Sequence, residues 1–263
     1  MAENNRKKKT YRILIVGAHH EETEAELPNT AAALAMAGCR VHILNPVGGW
    51  NWTFIRSLGK DGRERTIDDA LRAARELGCE KTVWDYPIAQ AHRHEPEIMD
   101  RMAGFLLDFE PDIVLMHWHL DTNADHRLIA RITRHILDTA VNISPDDHPD
   151  FRPPCEVYAF QTGVAQAYNF FPDLLVLADR ETMKRSEKAV RRFMPTASCF
   201  VPAWEKNFRT KADYWGNLAG QPAEALKFLG PVLPLEGFLL KKILGKRLIA
   251  APLDSFRRAD SGL

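Results

Sequence analysis

Several things are scarce in this 263-residue chain. It has four cysteines, Cys39, Cys79, Cys155 and Cys199, and no two lie close enough for a CxxC pair. That excludes a zinc ribbon and a thioredoxin-like redox motif, and a disulfide framework is not expected at this size. Charge of one sign is missing too, because 35 Lys+Arg balance 35 Asp+Glu. Nucleic-acid binders rest on a large positive field, so nucleic acid is not an expected partner. No run approaches the ~20 apolar residues of a membrane span. The basic start, MAENNRKKKTYR, is not followed by the apolar core of a signal peptide, and Arg6–Lys9 reads as a solvated tail. A cytoplasmic protein is expected. There is no internal repeat or low-complexity tract. Histidine is plentiful instead, at ten residues.

Hydrophobic patterning predicts strands alternating with helices. Arg12–Ala18, Arg40–Leu44, Lys81–Asp85, Asp112–His117, Glu156–Phe160 and Leu174–Ala178 read as short, largely apolar strands. Helices are expected over Glu24–Ala37 (Thr23 as N-cap, Pro28 in the first turn), Thr66–Leu77, Glu95–Phe109, Asp125–Thr139 and Glu181–Phe193. The Gly- and Trp-rich stretch Asn45–Lys60 and the polar stretch Asn142–Arg152 read as loops. Beyond Trp204 the pattern is irregular, and Leu233–Leu248 reads as a helical hairpin or an oligomer contact. This alternation implies βαβ units, hence an α/β, Rossmann-like, mostly parallel sheet flanked by helices with a C-terminal extension. The division is 11–228 for the main domain and 229–263 for the extension.

In an open parallel sheet, ligands bind beyond the carboxyl ends of strands. Two polar clusters fall at such ends: Ala18-His19-His20-Glu21-Glu22 after the first strand, and Asp121-Thr122-Asn123-Ala124-Asp125-His126 after the fourth. His19 and Glu22 are three residues apart on one turn, so both can face one point, with His126 arriving from the other strand end. Two imidazoles and a carboxylate are a ligand set for catalytic zinc, which keeps an open position. Glu21, beside them, could deprotonate a metal-bound water. One His-Glu turn alone also suits helix capping or an ordinary polar surface; two such clusters, each at the carboxyl end of a strand in a parallel sheet, are harder to dismiss.

At these residues the sequence resembles the PIG-L/LmbE family of zinc-dependent de-N-acetylases. The family is marked by an apolar strand ending in AHPDDE and a later strand followed by D-x-H-P-D-H. Here these read Ala18-His19-His20-Glu21-Glu22-Thr23 and Asp121-Thr122-Asn123-Ala124-Asp125-His126, about 100 residues apart. Weaker likeness appears in Val164–Arg185, where Asp179 precedes a Lys-containing helix, and in Gln221–Ala225, which resembles a late A-E-A-F segment. The resemblance spans most of residues 11–228. It implies one zinc per chain (another divalent ion being an alternative), held by His19, Glu22 and His126, with Glu21 as general base. The implied reaction is removal of an acetyl group from a small N-acetylated substrate of the N-acetylglucosamine type, and a homo-oligomer is expected. One branch of the family implies an alternative, a zinc-dependent hydratase of an unsaturated dicarboxylic acid. A third reading is a binding protein that has lost turnover.

The departures from the family pattern are specific. Glu replaces Asp at both 21 and 22, lengthening each side chain by ~1.5 Å. His20 stands where the family has proline, either as a further ligand or as a polar neighbour able to meet substrate. Asn123 replaces a histidine that assists the oxyanion; asparagine can still donate a hydrogen bond there. Asp125 orients a ligand or caps its helix. Asp121 contacts substrate or orients His126. Arg65 lies within about one residue of a substrate-contacting arginine in the family pattern. The Trp-containing loop Gly48–Trp52 either edges the site or packs on the fold. Among the other imidazoles, His117, His119 and His135 lie near the site.

Overall fold

The computed structural model describes residues 10–140, 152–163, 166–230 and 238–251. Five parallel strands, β1 (Arg12–Val16), β2 (Arg40–Val47), β3 (Glu80–Tyr86), β4 (Ile113–His117) and β5 (Glu156–Phe160), lie in the order β3-β2-β1-β4-β5. Three more, β6 (Leu174–Leu177), β7 (Ala223–Gly230) and β8 (Leu248–Ala250), continue the sheet as β5-β7-β6-β8 through antiparallel pairings.

The central strands are apolar on both faces because both are covered. Along β1, Ile13 and Ile15 join the packing on one side of the sheet, and Leu14 and Val16 join that on the other. The first layer is built from helices α2 (Pro28–Met36), α4 (Gly62–Leu77), α7 (Arg180–Arg191), α8 (Met194–Ala197) and α9 (Val201–Gly216). The second is built from α5 (Glu95–Phe109) and α6 (Ala124–Ala140). Ile13, Leu14 and Ile15 are fully buried, and each such side chain stabilises the fold by about 1.5–3 kcal/mol.

The elements differ from the sequence-based expectation at four places. The helix expected over Glu24–Ala37 is two helices, α1 (Glu22–Glu26) and α2, separated by Leu27 in a non-helical conformation (φ −138°, ψ 32°). Pro28 causes the break, since it has no N–H to continue the ladder and disfavours helical geometry at the residue before it. Thr23 therefore lies inside α1 and caps nothing. The exposed N–H groups of α2 are met from far along the chain: the Glu224 carboxylate accepts from Asn29 N (3.0 Å) and Thr30 N (2.7 Å). That glutamate lies in the Gln221–Ala225 segment, whose last three residues open β7. Second, the stretch Asn45–Lys60 includes the end of β2 and a short helix, α3 (Thr53–Ser57).

Third, the region beyond Trp204 is regular. It continues α9, whose buried face carries Lys211 among Phe208, Ala212 and Trp215. A lysine on the inner face interrupts the apolar periodicity by which a helix is recognised. Fourth, the described part of Leu233–Leu248 is no hairpin but one short helix (Leu239–Leu244) and a turn leading into β8. The residues 231–237 and most of the expected loop Asn142–Arg152 lie outside the described residues. No helix among the described residues is long and apolar enough to cross a membrane.

Candidate metal centre

The strand order reverses direction between β1 and β4: β2 and β3 lie on one side and β5 on the other. The crevice at the carboxyl ends of two such strands is where open α/β sheets bind ligands. Both polar clusters open into it. His19 and Glu22 follow β1 and begin α1, while His126 lies in the first turn of α6 after β4.

Glu22 is held so that its two oxygens do different things. Oε2 accepts from the backbone N–H groups of Ala18 (2.6 Å) and His19 (2.9 Å) and lies 2.7 Å from His117 Nε2. Oε1 meets His19 Nδ1 at 2.6 Å and also touches His126 Nε2. The two imidazole nitrogens are 3.3 Å apart. Three donor atoms thus converge on one point, and the residues are all buried. The longer Glu22 side chain fits because it folds back on the strand end, where Gly17 leaves room: a Cβ there would lie 3.2 Å from Glu22 Oε2.

The far side of each imidazole is also held. His19 Nε2 lies 3.1 Å from Asp125 Oδ2, which also accepts from Ala89 N at 2.7 Å. His126 Nδ1 lies 3.1 Å from Asp121 Oδ2, a carboxylate that Thr162 Oγ1 also contacts. Carboxylates on the outer ring nitrogens orient metal-binding histidines and make them better donors. Burial opposes charge on His126, but Glu22 and Asp121 outweigh it and raise its pKa to about 9. His19 is raised in the same way by Glu22 and Asp125. Burial likewise opposes ionisation of Glu22, yet His126, His117 and His19 hold its carboxyl well below the usual range. An excess of nitrogen donors around a carboxylate held ionised suits a divalent cation, so this donor set fits zinc.

A cavity of about 620 Å³ opens over these groups. His19, His20, Glu21, Glu22, Asn123 and His126 all line it. The Glu21 Oε2 and His20 Nδ1 atoms are buried without hydrogen-bond partners and stand 3.4 Å from each other. Burial raises the Glu21 carboxyl, while burial, Lys81 and His19 lower His20 to about 3, leaving it neutral. Asn123 is the N-cap of α6, with its Oδ1 accepting from Asp125 N at 2.8 Å. Its amide N–H₂ is then the group available to a ligand.

Two expected substrate contacts are not brought to the cavity. Arg65 is exposed on α4 and does not line it, because α4 turns that face to solvent to bury Thr66, Asp69 and Ala70. Asp121 is 2% exposed, is committed to His126, Thr162 and the N–H of Asn123, and does not line the cavity. Asp125 is placed in the same way, behind His19. His117, His119 and His135 all line a different cavity, and His117 also stacks on His126 at 4.5 Å and supports Glu22.

Several lining residues carry no motif. Trp204, Asn207 and Thr210 come from α9, and Glu26 comes from α1, four residues after Glu22. The sequence reading missed them; helical spacing, i to i+4 from Glu22 to Glu26 and i to i+3 from Trp204 to Asn207 and on to Thr210, is the signal that leads to them. Of the loop tryptophans, Trp52 lines the cavity and packs on Phe200 (5.1 Å), which stacks on Trp204 (5.9 Å). Trp50 is exposed.

Residues 14–137 match the PIG-L family model, described as GlcNAc-PI de-N-acetylase. No curated protein matches the sequence. Among solved structures, the chain is similar to a 4-carboxy-2-hydroxymuconate hydratase from Pseudomonas putida (18% identical, TM-score 0.69, 86% of this chain and 98% of that one). It is similar to a conserved protein from Thermus thermophilus (22% identical, TM-score 0.67, 85% and 97%). It is also similar to an N,N'-diacetylchitobiose deacetylase from Pyrococcus horikoshii (18% identical, TM-score 0.69, 86% of each chain). At these identities the likeness is one of fold.

Proposed function

From the match of residues 14–137 to the PIG-L family model and the geometry of the metal centre, we propose that the chain is a zinc-dependent de-N-acetylase acting on a small N-acetylated sugar derivative. The observation that carries this reading is the pair of oriented imidazoles. His19 and His126 each have a carboxylate on the outer nitrogen, and their inner nitrogens converge on Glu22 Oε1. These three residues would hold one zinc per chain. When bound, zinc supplies a Lewis acid that polarises an amide carbonyl and lowers the pKa of a water.

Glu21 does the proton work. Its carboxylate takes a proton from the attacking water and passes it to the leaving nitrogen, and its burial-raised pKa brings it nearer the working pH. Asn123, with its oxygen spent on the helix cap, donates from its amide nitrogen to the carbonyl oxygen as negative charge develops. His20, neutral and unpartnered at Nδ1, offers a further polar contact to substrate beside Glu21. Asp121 and Asp125 are positioning residues acting through the two imidazoles.

The cavity wall favours a sugar over a dicarboxylate. A hydratase of an unsaturated dicarboxylic acid needs cations against two carboxylates. Among the described residues no Arg or Lys lines this cavity, whereas Glu21, Glu26, Trp52 and Trp204 do. Aromatic faces suit the C–H surface of a sugar ring.

The test is acetate release from a panel of N-acetylated sugars and thiol conjugates, with metal added back to purified protein. Stoichiometric zinc and release from a sugar are expected. Glu21→Gln should retain the zinc and lose at least about a hundredfold in rate. Protein that takes up no divalent metal, or a Glu21→Gln variant with full activity, overturns the reading.

A further inference from the structure

Glu22 and Glu26 are one helical turn apart on α1, so they share a face of the helix. Glu22 belongs to the metal centre; Glu26 lines the same cavity further along. The Glu26 carboxylate accepts from Asn207 Nδ2 at 2.8 Å and from Lys211 Nζ at 2.6 Å. Lys211 is 3% exposed and also donates to Gln161 O at 2.9 Å. The negative charge of Glu26 is therefore met from behind, and its carboxylate stays in place with lone pairs to spare.

This anchoring decides which atoms remain for a ligand. Asn207 has committed its amide nitrogen to Glu26, which leaves Oδ1 as an acceptor. Gln166 turns its Oε1 toward Gly163, accepting that N–H at 3.2 Å. A Cβ on Gly163 would lie 3.3 Å from Gln166 Oε1 and 3.4 Å from Asn207 Oδ1, so both amide oxygens crowd one spot. With Gln166 Oε1 spent on Gly163, the acceptors left to a ligand at this end are the Glu26 carboxylate and Asn207 Oδ1, and a carboxylate beside an amide oxygen receives a hydrogen-bond donor and disfavours an anion. Because Lys211 already neutralises Glu26, a hydroxyl suits the wall better than a second cation.

We infer that Glu26 and Asn207 form a specificity-determining subsite for a substrate hydroxyl, about 5–6 Å along α1 from the metal-binding Glu22, an inference that rests on the deacetylase reading above. Lys211 is the positioning residue of the subsite. Anionic N-acetylated substrates, with a carboxylate or phosphate at that point, are excluded by it.

The test uses zinc-loaded full-length protein with N-acetylglucosamine and its monodeoxy analogues. Binding is measured by calorimetry in the Glu21→Gln background, so that no ligand turns over, and acetate release is measured with Glu21 intact. One deoxy analogue is expected to bind about tenfold more weakly than the parent sugar. Asn207→Ala, and separately the charge-neutral pair Glu26→Gln with Lys211→Met, should bind that analogue and the parent equally. Both should keep full zinc content and show the change in KM rather than kcat. Discrimination that persists in both variants overturns the subsite, as does a protein that binds none of the sugars. Discrimination that these variants abolish, in a protein releasing acetate from no sugar, overturns the deacetylase reading and leaves the subsite standing.

Discussion

Helix α6 borders two cavities, and their difference separates a site from a depression. Asn123 and His126, at its start, face the 620 Å³ cavity over the candidate metal centre. Arg127, Arg131 and Arg134 line a larger one of about 840 Å³, together with His92, His119 and His135. By size and charge the second is the more conspicuous. Its arginines are nevertheless occupied: Arg131 pairs with Glu95 (2.7 Å), Arg134 with Asp138 (2.9 Å), and Arg127 donates to the carbonyl oxygens of Asp121 and Thr122. In the smaller cavity, Glu21 Oε2 and His20 Nδ1 have no hydrogen-bond partner, and three donor atoms crowd one point. A buried group left unsatisfied costs the fold free energy. Such groups gathered in one crevice mark chemistry better than volume does.

The contrast can be broken most sharply at His126. His126→Ala should lose stoichiometric zinc and acetate release together, as read by metal analysis and turnover; unchanged metal content would remove it from the ligand set. Asp125→Asn, which leaves the ligands in place, should weaken zinc by about 10–100-fold in a competition titration. Lys211→Met strands the buried Glu26 charge and should cost about 3–5 kcal/mol in denaturant unfolding. Adding Glu26→Gln to Lys211→Met should recover most of that loss, and no recovery would show that the pair is not coupled. Gly17→Ala introduces a Cβ 2.6 Å from Asn45 Nδ2 and 3.2 Å from Glu22 Oε2. It should destabilise by about 1–3 kcal/mol and weaken zinc as Glu22 is pushed from the strand end. The smallest effect is expected in the larger cavity. Arg131→Ala, at an exposed pair, should change stability by no more than about 1 kcal/mol and leave turnover unaltered. A marked loss of turnover there would place function in the second cavity too.

Much of the parallel half was legible because its signals are local. A continuous apolar run such as Ile13–Val16 states that both faces of a strand are covered, and Gly78 in the left-handed conformation (φ 82°) ends α4 where the sequence suggested. The carboxyl ends of β1 and β4 were legible for the same reason, since each cluster begins within a few residues of its strand. The antiparallel half was harder to read. Lys211 obscured α9, and Pro28 reads as well in a first turn as at a break between helices. What meets the α2 N-terminus, Glu224, lies 195 residues away.

The sequence by itself determined that strands and helices alternate and that His19, Glu22 and His126 stand at strand ends. Those properties depend on residue type and on spacing within a turn or two of chain. Tertiary structure alone decided which carboxylate meets which imidazole, that Asp121 lies behind His126 while Arg65 stays outside the cavity, and that Glu26 meets Asn207 and Lys211 of α9. The physical reason is distance along the chain. Asp125 reaches His19 across 106 residues and Lys211 reaches Glu26 across 185. Only the order of strands in the sheet and the packing of α9 against it bring such groups to hydrogen-bonding range.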